Sequence, residues 1–89
     1  MSLKILKLCD YNGDMHYINM ANIKNISFFI RSVNFNSDKK HHFHKLYFEK
    51  DHRQDYINAV TEFIDKNNLN IPIWEVESIT SGNRVLKAI

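Results

Sequence analysis

The residues best suited to chemistry stand together in Lys39-Lys40-His41-His42-Phe43-His44-Lys45, with His52 close behind. On an extended strand His42 and His44 fall on one face about 7 Å apart, a spacing at which two neutral imidazoles can share a metal ion. Such a site needs further ligands, for which His16 or Asp38 is available. The basic neighbours oppose it by repelling a cation, and a solvated strand end accounts for the same residues. Lys39, Lys40 and Lys45 also suit phosphate, so a nucleic-acid-contacting accessory role is the alternative use of this segment. No aromatic-and-basic stripe or helix-turn-helix pattern accompanies it.

Other chemistry is thinner. Asp10, Asp14, Glu49, Asp51 and Asp55 read as turn residues, a strand end and a helix start, where negative charge complements the helix dipole. Gly13 and Gly82 are the only glycines, too few for a phosphate-cradling loop. Cys9 sits in an apolar strand, the setting of a core cysteine rather than a nucleophile. These observations point to a non-catalytic protein without a cofactor. Trp74, in a tail that also carries Ile71, Ile73, Val76 and Ile79, is a residue type enriched at interface hot spots. Phe43 and Tyr47 alternate with Lys45 and Glu49, so that neither face of their strand is cleanly polar. Phe43, Tyr47, Trp74 and Val76 are therefore the candidate contacts for a protein partner or for a second copy in a homodimer.

These residues must be positioned by strands and one helix. Leu3–Cys9 and Met15–Asn19 alternate as strands around Asn12-Gly13, a hairpin cue in which both residues tolerate positive φ. Asn19–Asn22 reads as a turn, with a helical bridge from Ile23 to Ile26. Ile26–Phe35 is a nearly continuous β-forming run, as a central strand would be, and His42–Glu49 alternates as a fourth strand. Asp51–Asn67 places Tyr56, Val60, Phe63 and Ile64 on one helical face, flanked by Ile57 and Ala59. Asp51 with Gln54 fits an N-terminal capping pair, and Asn67, Asn68 and Pro72 supply the stop. Ile71–Ile79 suits a short further strand, with Pro72 placing its start at an edge or outside the ladder.

The stretch Leu8–Ile26 resembles the start of the FlbD-type small flagellar proteins. The matching residues are Asn12, Gly13, Tyr17, Ile18, Asn19, Ile23 and Ile26, followed by the same order of strands and then one helix. Met20 stands where that family has proline, its second Asn-Gly turn is missing, the Asn34–Lys40 loop is longer, and some twenty residues trail the helix. The resemblance implies a similar architecture, and the flagellar role is not carried over. A truncated pleckstrin-homology-like domain has the same order of elements.

Eighty-nine residues, 44% of them apolar, with six Phe, four Tyr and one Trp, suffice for one domain with a real core. A net charge of +2 is too even to favour nucleic acid or an anionic membrane. No run is long enough to span a bilayer, no signal peptide is evident, and the lone cysteine fits a reducing, cytoplasmic setting. The expected fold is a single α+β domain over residues 1–89. It has a mainly antiparallel sheet of four or five strands, the 51–67 helix on one face, and a short C-terminal strand or tail. The expected function is a non-catalytic protein–protein interaction or regulatory module.

Overall fold

The computed structural model describes residues 4–38, 42–80 and 83–88, with backbone alone for 77–80 and 83–88. Two strands, β1 (Ile5–Cys9) and β2 (Met15–Asn19), form an antiparallel hairpin of their own. A larger sheet contains β3 (Ile23–Phe28), β4 (Ser32–Ser37), β5 (Phe43–Tyr47), β6 (Ile73–Thr80) and β7 (Asn83–Ala88) in the order β5-β4-β3-β6-β7. Among the described residues one α-helix, α1 (Arg53–Lys66), is present, between β5 and β6 in the chain.

The class is α+β, as the residue pattern leads one to expect, but the sheet is mixed. β3 and β6 run parallel, in register Ile26↔Ile73 to Phe28↔Glu75. The expectation of antiparallel pairing overlooked that α1 itself can serve as the crossover. β3, β4 and β5 alternate in direction as a meander, α1 brings the chain back, and β6 then runs the same way as β3. The tail is thereby part of the fold, with Ile73 and Val76 buried.

The Ile26–Phe35 run is two strands. It turns at Ile30-Arg31, closed by the Phe29 N–H donating to the Ser32 carbonyl at 2.7 Å. Arg53 pins this turn from the helix by donating to the Phe29 carbonyl at 2.8 Å, and its guanidinium also pairs with Glu75 of β6. The first hairpin turns where Asn12-Gly13 indicates, but only Gly13 takes a positive φ, +87°. Gly13 donates to the Asp10 carbonyl, giving a three-residue loop rather than the tight two-residue turn.

The helix also starts differently from its capping signal. A 3₁₀ turn occupies Lys50–His52, His52 is the N-cap, and no side chain caps it. Its end is fully closed: Asn68 adopts φ +53°, Asn68 donates to the Asp65 carbonyl and Leu69 to the Ile64 carbonyl. That is the double hydrogen bond of a left-handed C-terminal cap.

Ile57, Val60 and Ile64 of α1 bury against Ile26, Phe28, Val33, Phe35, Leu46 and Ile73 of the sheet. Tyr56 and Phe63 pack at the margin of this core. Leu6, Ile18 and Met20 join the same cluster, so the hairpin shares the inner face with the helix. Each fully buried Ile, Phe or Leu contributes roughly 1.5–3 kcal/mol against a net stability of about 5–15.

Candidate functional site

Helix and hairpin both cover one face of the sheet, and the alternate residues form the other. Register places Lys45 (β5), Asn34 (β4), Ser27 (β3) and Trp74 (β6) in one row across this outer face. The row spans about 14 Å at ordinary strand spacing. Phe43, Asn36 and Asn25 form a second row, and Tyr47 with Ser32 a third. The centre is thus small and polar, with Asn36 donating to Asn25 at 2.7 Å. The rim is aromatic: Phe43 is 57% exposed, Tyr47 53% and Trp74 38%.

The polar centre carries an unspent acceptor. Asn34 Oδ1 is buried with no hydrogen-bond partner among the described residues. A group in that state costs about 1–3 kcal/mol until a donor reaches it. Lys45 Nζ lies 5.7 Å from the Tyr47 ring centroid, which holds the cation over the aromatic rim. Of the candidate partner contacts, Phe43, Tyr47 and Trp74 come together on this face. Val76 is 5% exposed, with Leu86 of β7 as its register partner, and adds no surface. Lys39 and Lys40 lie outside the described residues, as does Gly82.

The histidines divide. His44 points to the inner face and finds His16 of the hairpin, with His16 Nδ1 2.7 Å from His44 Nε2. His16 Nε2 in turn lies 2.9 Å from Asp10 Oδ2. Asp10 Oδ1 accepts the Asn12 and Asp14 N–H groups, so the turn itself aims the carboxylate. The hydrogen bond from His16 holds the Asp10 carboxyl below its usual range, helped by those two N–H groups and partly offset by burial. Burial, then repulsion from His16, lowers the His44 imidazole. One of the two facing ring nitrogens donates and the other accepts, so Asp10, His16 and His44 form one hydrogen-bonded chain. The result is a hydrogen-bonded clasp from turn to sheet.

His42 is exposed and lines a separate shallow cleft with Asn22, Ser37, Asp38 and Phe43. Among the described residues no three His, Cys, Asp or Glu side chains converge as metal ligands. Cys9, expected in the core, is exposed on β1, while its carbonyl accepts the Tyr56 hydroxyl. Sequence reasoning named His16 only as a possible third ligand and missed Asp10 as its anchor. It also missed the Asn and Ser centre of the outer face, whose signal is the polar period-two alternation Asn25/Ser27 and Asn34/Asn36.

The chain matches no family model, and no curated protein or solved structure is significantly similar to it. None of these comparisons bears on the FlbD-type resemblance. No described helix is long and apolar enough to cross a membrane.

Proposed function

We propose that this chain is a non-catalytic protein-interaction module that engages its partner through the outer sheet face and the adjoining edge of β5. The observation that supports this reading is the joint exposure of Phe43, Tyr47 and Trp74 on one face of the sheet. Single exposed apolar residues are ordinary on protein surfaces; three large aromatics on one face match the aromatic enrichment of interfaces. The lone, exposed Cys9 fits a reducing, cytoplasmic setting for that interaction.

The test is site-specific photo-crosslinking in the native host, with benzoyl-phenylalanine in place of Phe43, Trp74 or, as control, Glu62 on the exposed side of α1. Discrete protein adducts are expected at the first two positions and not at the third. Equal adducts at all three, or none at Phe43 and Trp74, overturn the reading.

A further inference from the structure

One edge strand of the sheet is β5, and its hydrogen-bonding groups can be assigned one by one. Phe48 N–H donates to the Arg31 carbonyl at 2.9 Å, and Ser37 N–H to the His42 carbonyl at 3.0 Å. In an antiparallel ladder, bonded pairs recur every second residue. With the register Phe35↔His44 and Val33↔Leu46, the groups of His44 and Leu46 therefore face β4. Those of Phe43, Lys45 and Tyr47 face away from it. One of them is taken, the Tyr47 carbonyl, which accepts the Tyr11 N–H at 3.1 Å. The N–H and C=O of Phe43 and Lys45 and the N–H of Tyr47 have no partner among the described residues.

We propose that this edge takes an extended peptide segment of a partner protein as an added strand, with an acidic side chain of the segment opposite Lys45. This deepens the reading above by naming what the β5 end of the surface recognises, and it rests on that reading. Five unpaired backbone groups in strand spacing are a template for another extended backbone, whatever its sequence. Selectivity comes from the side chains on the outer face. Those of the guest at alternate positions stand beside Phe43, Lys45 and Tyr47. The complementary pattern is an acidic residue with apolar residues two positions to either side.

The same geometry disfavours a second copy of this chain as the occupant. The symmetric antiparallel register centred on the segment sets Lys45 opposite Lys45, and like charges directly opposite are destabilising. A lysine in the middle of an edge strand is a common guard against self-pairing. The turn at Tyr11 closes the Tyr47 end, so the guest strand is confined to the Phe43–Tyr47 stretch.

The experiment uses the intact ¹⁵N-labelled chain and capped heptapeptides in which threonine alternates with valine, glutamate and phenylalanine. A second peptide carries lysine for glutamate, and a third is N-methylated on its backbone. At about 1 mM the glutamate peptide is expected to slow amide exchange of Phe43, Lys45 and Tyr47 about tenfold. His44 and Leu46, already in the ladder, are expected to stay unchanged. The lysine peptide should bind roughly fivefold more weakly, the N-methylated one not at all, and Lys45→Glu should reverse the order of the first two. Lys45 is exposed, so this variant is expected to retain the wild-type spectrum elsewhere.

Unprotected amides at the three positions overturn the proposal, as does an unchanged peptide order in Lys45→Glu. Protection that rises with protein concentration alone assigns the edge to a second copy and also overturns it. So does protection by oligothymidylate in place of peptide. Shifts confined to Asn25, Ser27, Asn34 and Trp74 remove the edge assignment while leaving the outer-face reading standing. Edge protection without crosslinks at Trp74 does the reverse.

Discussion

His16 and His44 meet edge to face between the hairpin and the sheet, their ring centroids 5.0 Å apart and their facing nitrogens 2.7 Å apart. One proton fits between those nitrogens; two do not. His44 is lowered in the folded chain by burial and by His16, and Asp10 is lowered chiefly by its hydrogen bond from His16. Both groups therefore bind fewer protons folded than unfolded, and stability rises with pH through each. The His44 contribution is complete above its unfolded value of 6.5 and is lost as pH falls through the lower folded value. That of Asp10 is present above 3.8 and is lost below it. The melting temperature is expected to fall as pH drops below 6.5 and His44 takes up its proton, and to fall again below 3.8 as Asp10 does. His44→Asn should abolish the first step and keep the second. A wild-type profile flat across the first interval would refute the clasp.

Arg53 ties three elements: the start of α1, the β3–β4 turn through the Phe29 carbonyl, and β6 through Glu75. The ion pair is mostly shielded, with Arg53 19% and Glu75 24% exposed. Arg53→Met should lower unfolding free energy by about 1–3 kcal/mol, because a carbonyl and a carboxylate lose their donor together. In a urea-based double-mutant cycle with Glu75→Gln, the two losses should fail to add. Simple additivity would show that the pair is not coupled.

Leu46 and Tyr47 are neighbours in β5 with opposite fates, 0% and 53% exposed. Leu46→Ala should cost about 2–5 kcal/mol, and Tyr47→Ala no more than about 0.5. Chemical denaturation of the two variants decides the strand's facing. Equal losses would mean that the outer face is covered after all.

Gly13 stands at φ +87° in open space, with nothing within 4 Å of a methyl group placed there. The cost of Gly13→Ala is then conformational alone, about 1 kcal/mol, and Gly13→Asn should cost less. Thermal melts of both variants check the order. A larger loss for asparagine would contradict the left-handed backbone at this position.

The elements that announced themselves in the sequence were those whose local chemistry agrees with their tertiary role. The helix was legible because its apolar period of 3.6 is also its buried face, and Asn12-Gly13 because the turn needs a residue free to take positive φ. The turn at Ile30-Arg31 was illegible. It contains no Gly, Pro, Asn or Asp and is held from outside by Arg53, so β3 and β4 looked like one strand. The capping pair at Asp51 failed because a 3₁₀ turn precedes the helix and shifts its start to His52. At the surface, the alternation in β5 correctly grouped Phe43 and Tyr47, while adding Trp74 to them required the β3–β6 pairing. His16 and His44 are twenty-eight positions apart, joined only by the way the hairpin lies on the sheet.

The parallel contact of Ile26 with Ile73 also sets an order of events during folding. β3 can zip to β4 through a two-residue loop, but its other edge must wait until β4, β5 and α1 have all been made and threaded back. Closing so long a loop carries more chain entropy than closing the hairpins, and non-local pairings of this kind are the slow ones. During synthesis β3 therefore emerges as a temporary second border, carrying Ile26 and Phe28, and it stays open until residues 73–75 leave the ribosome. The newborn chain is most exposed to mispairing in that interval, and the arrival of β6 ends it.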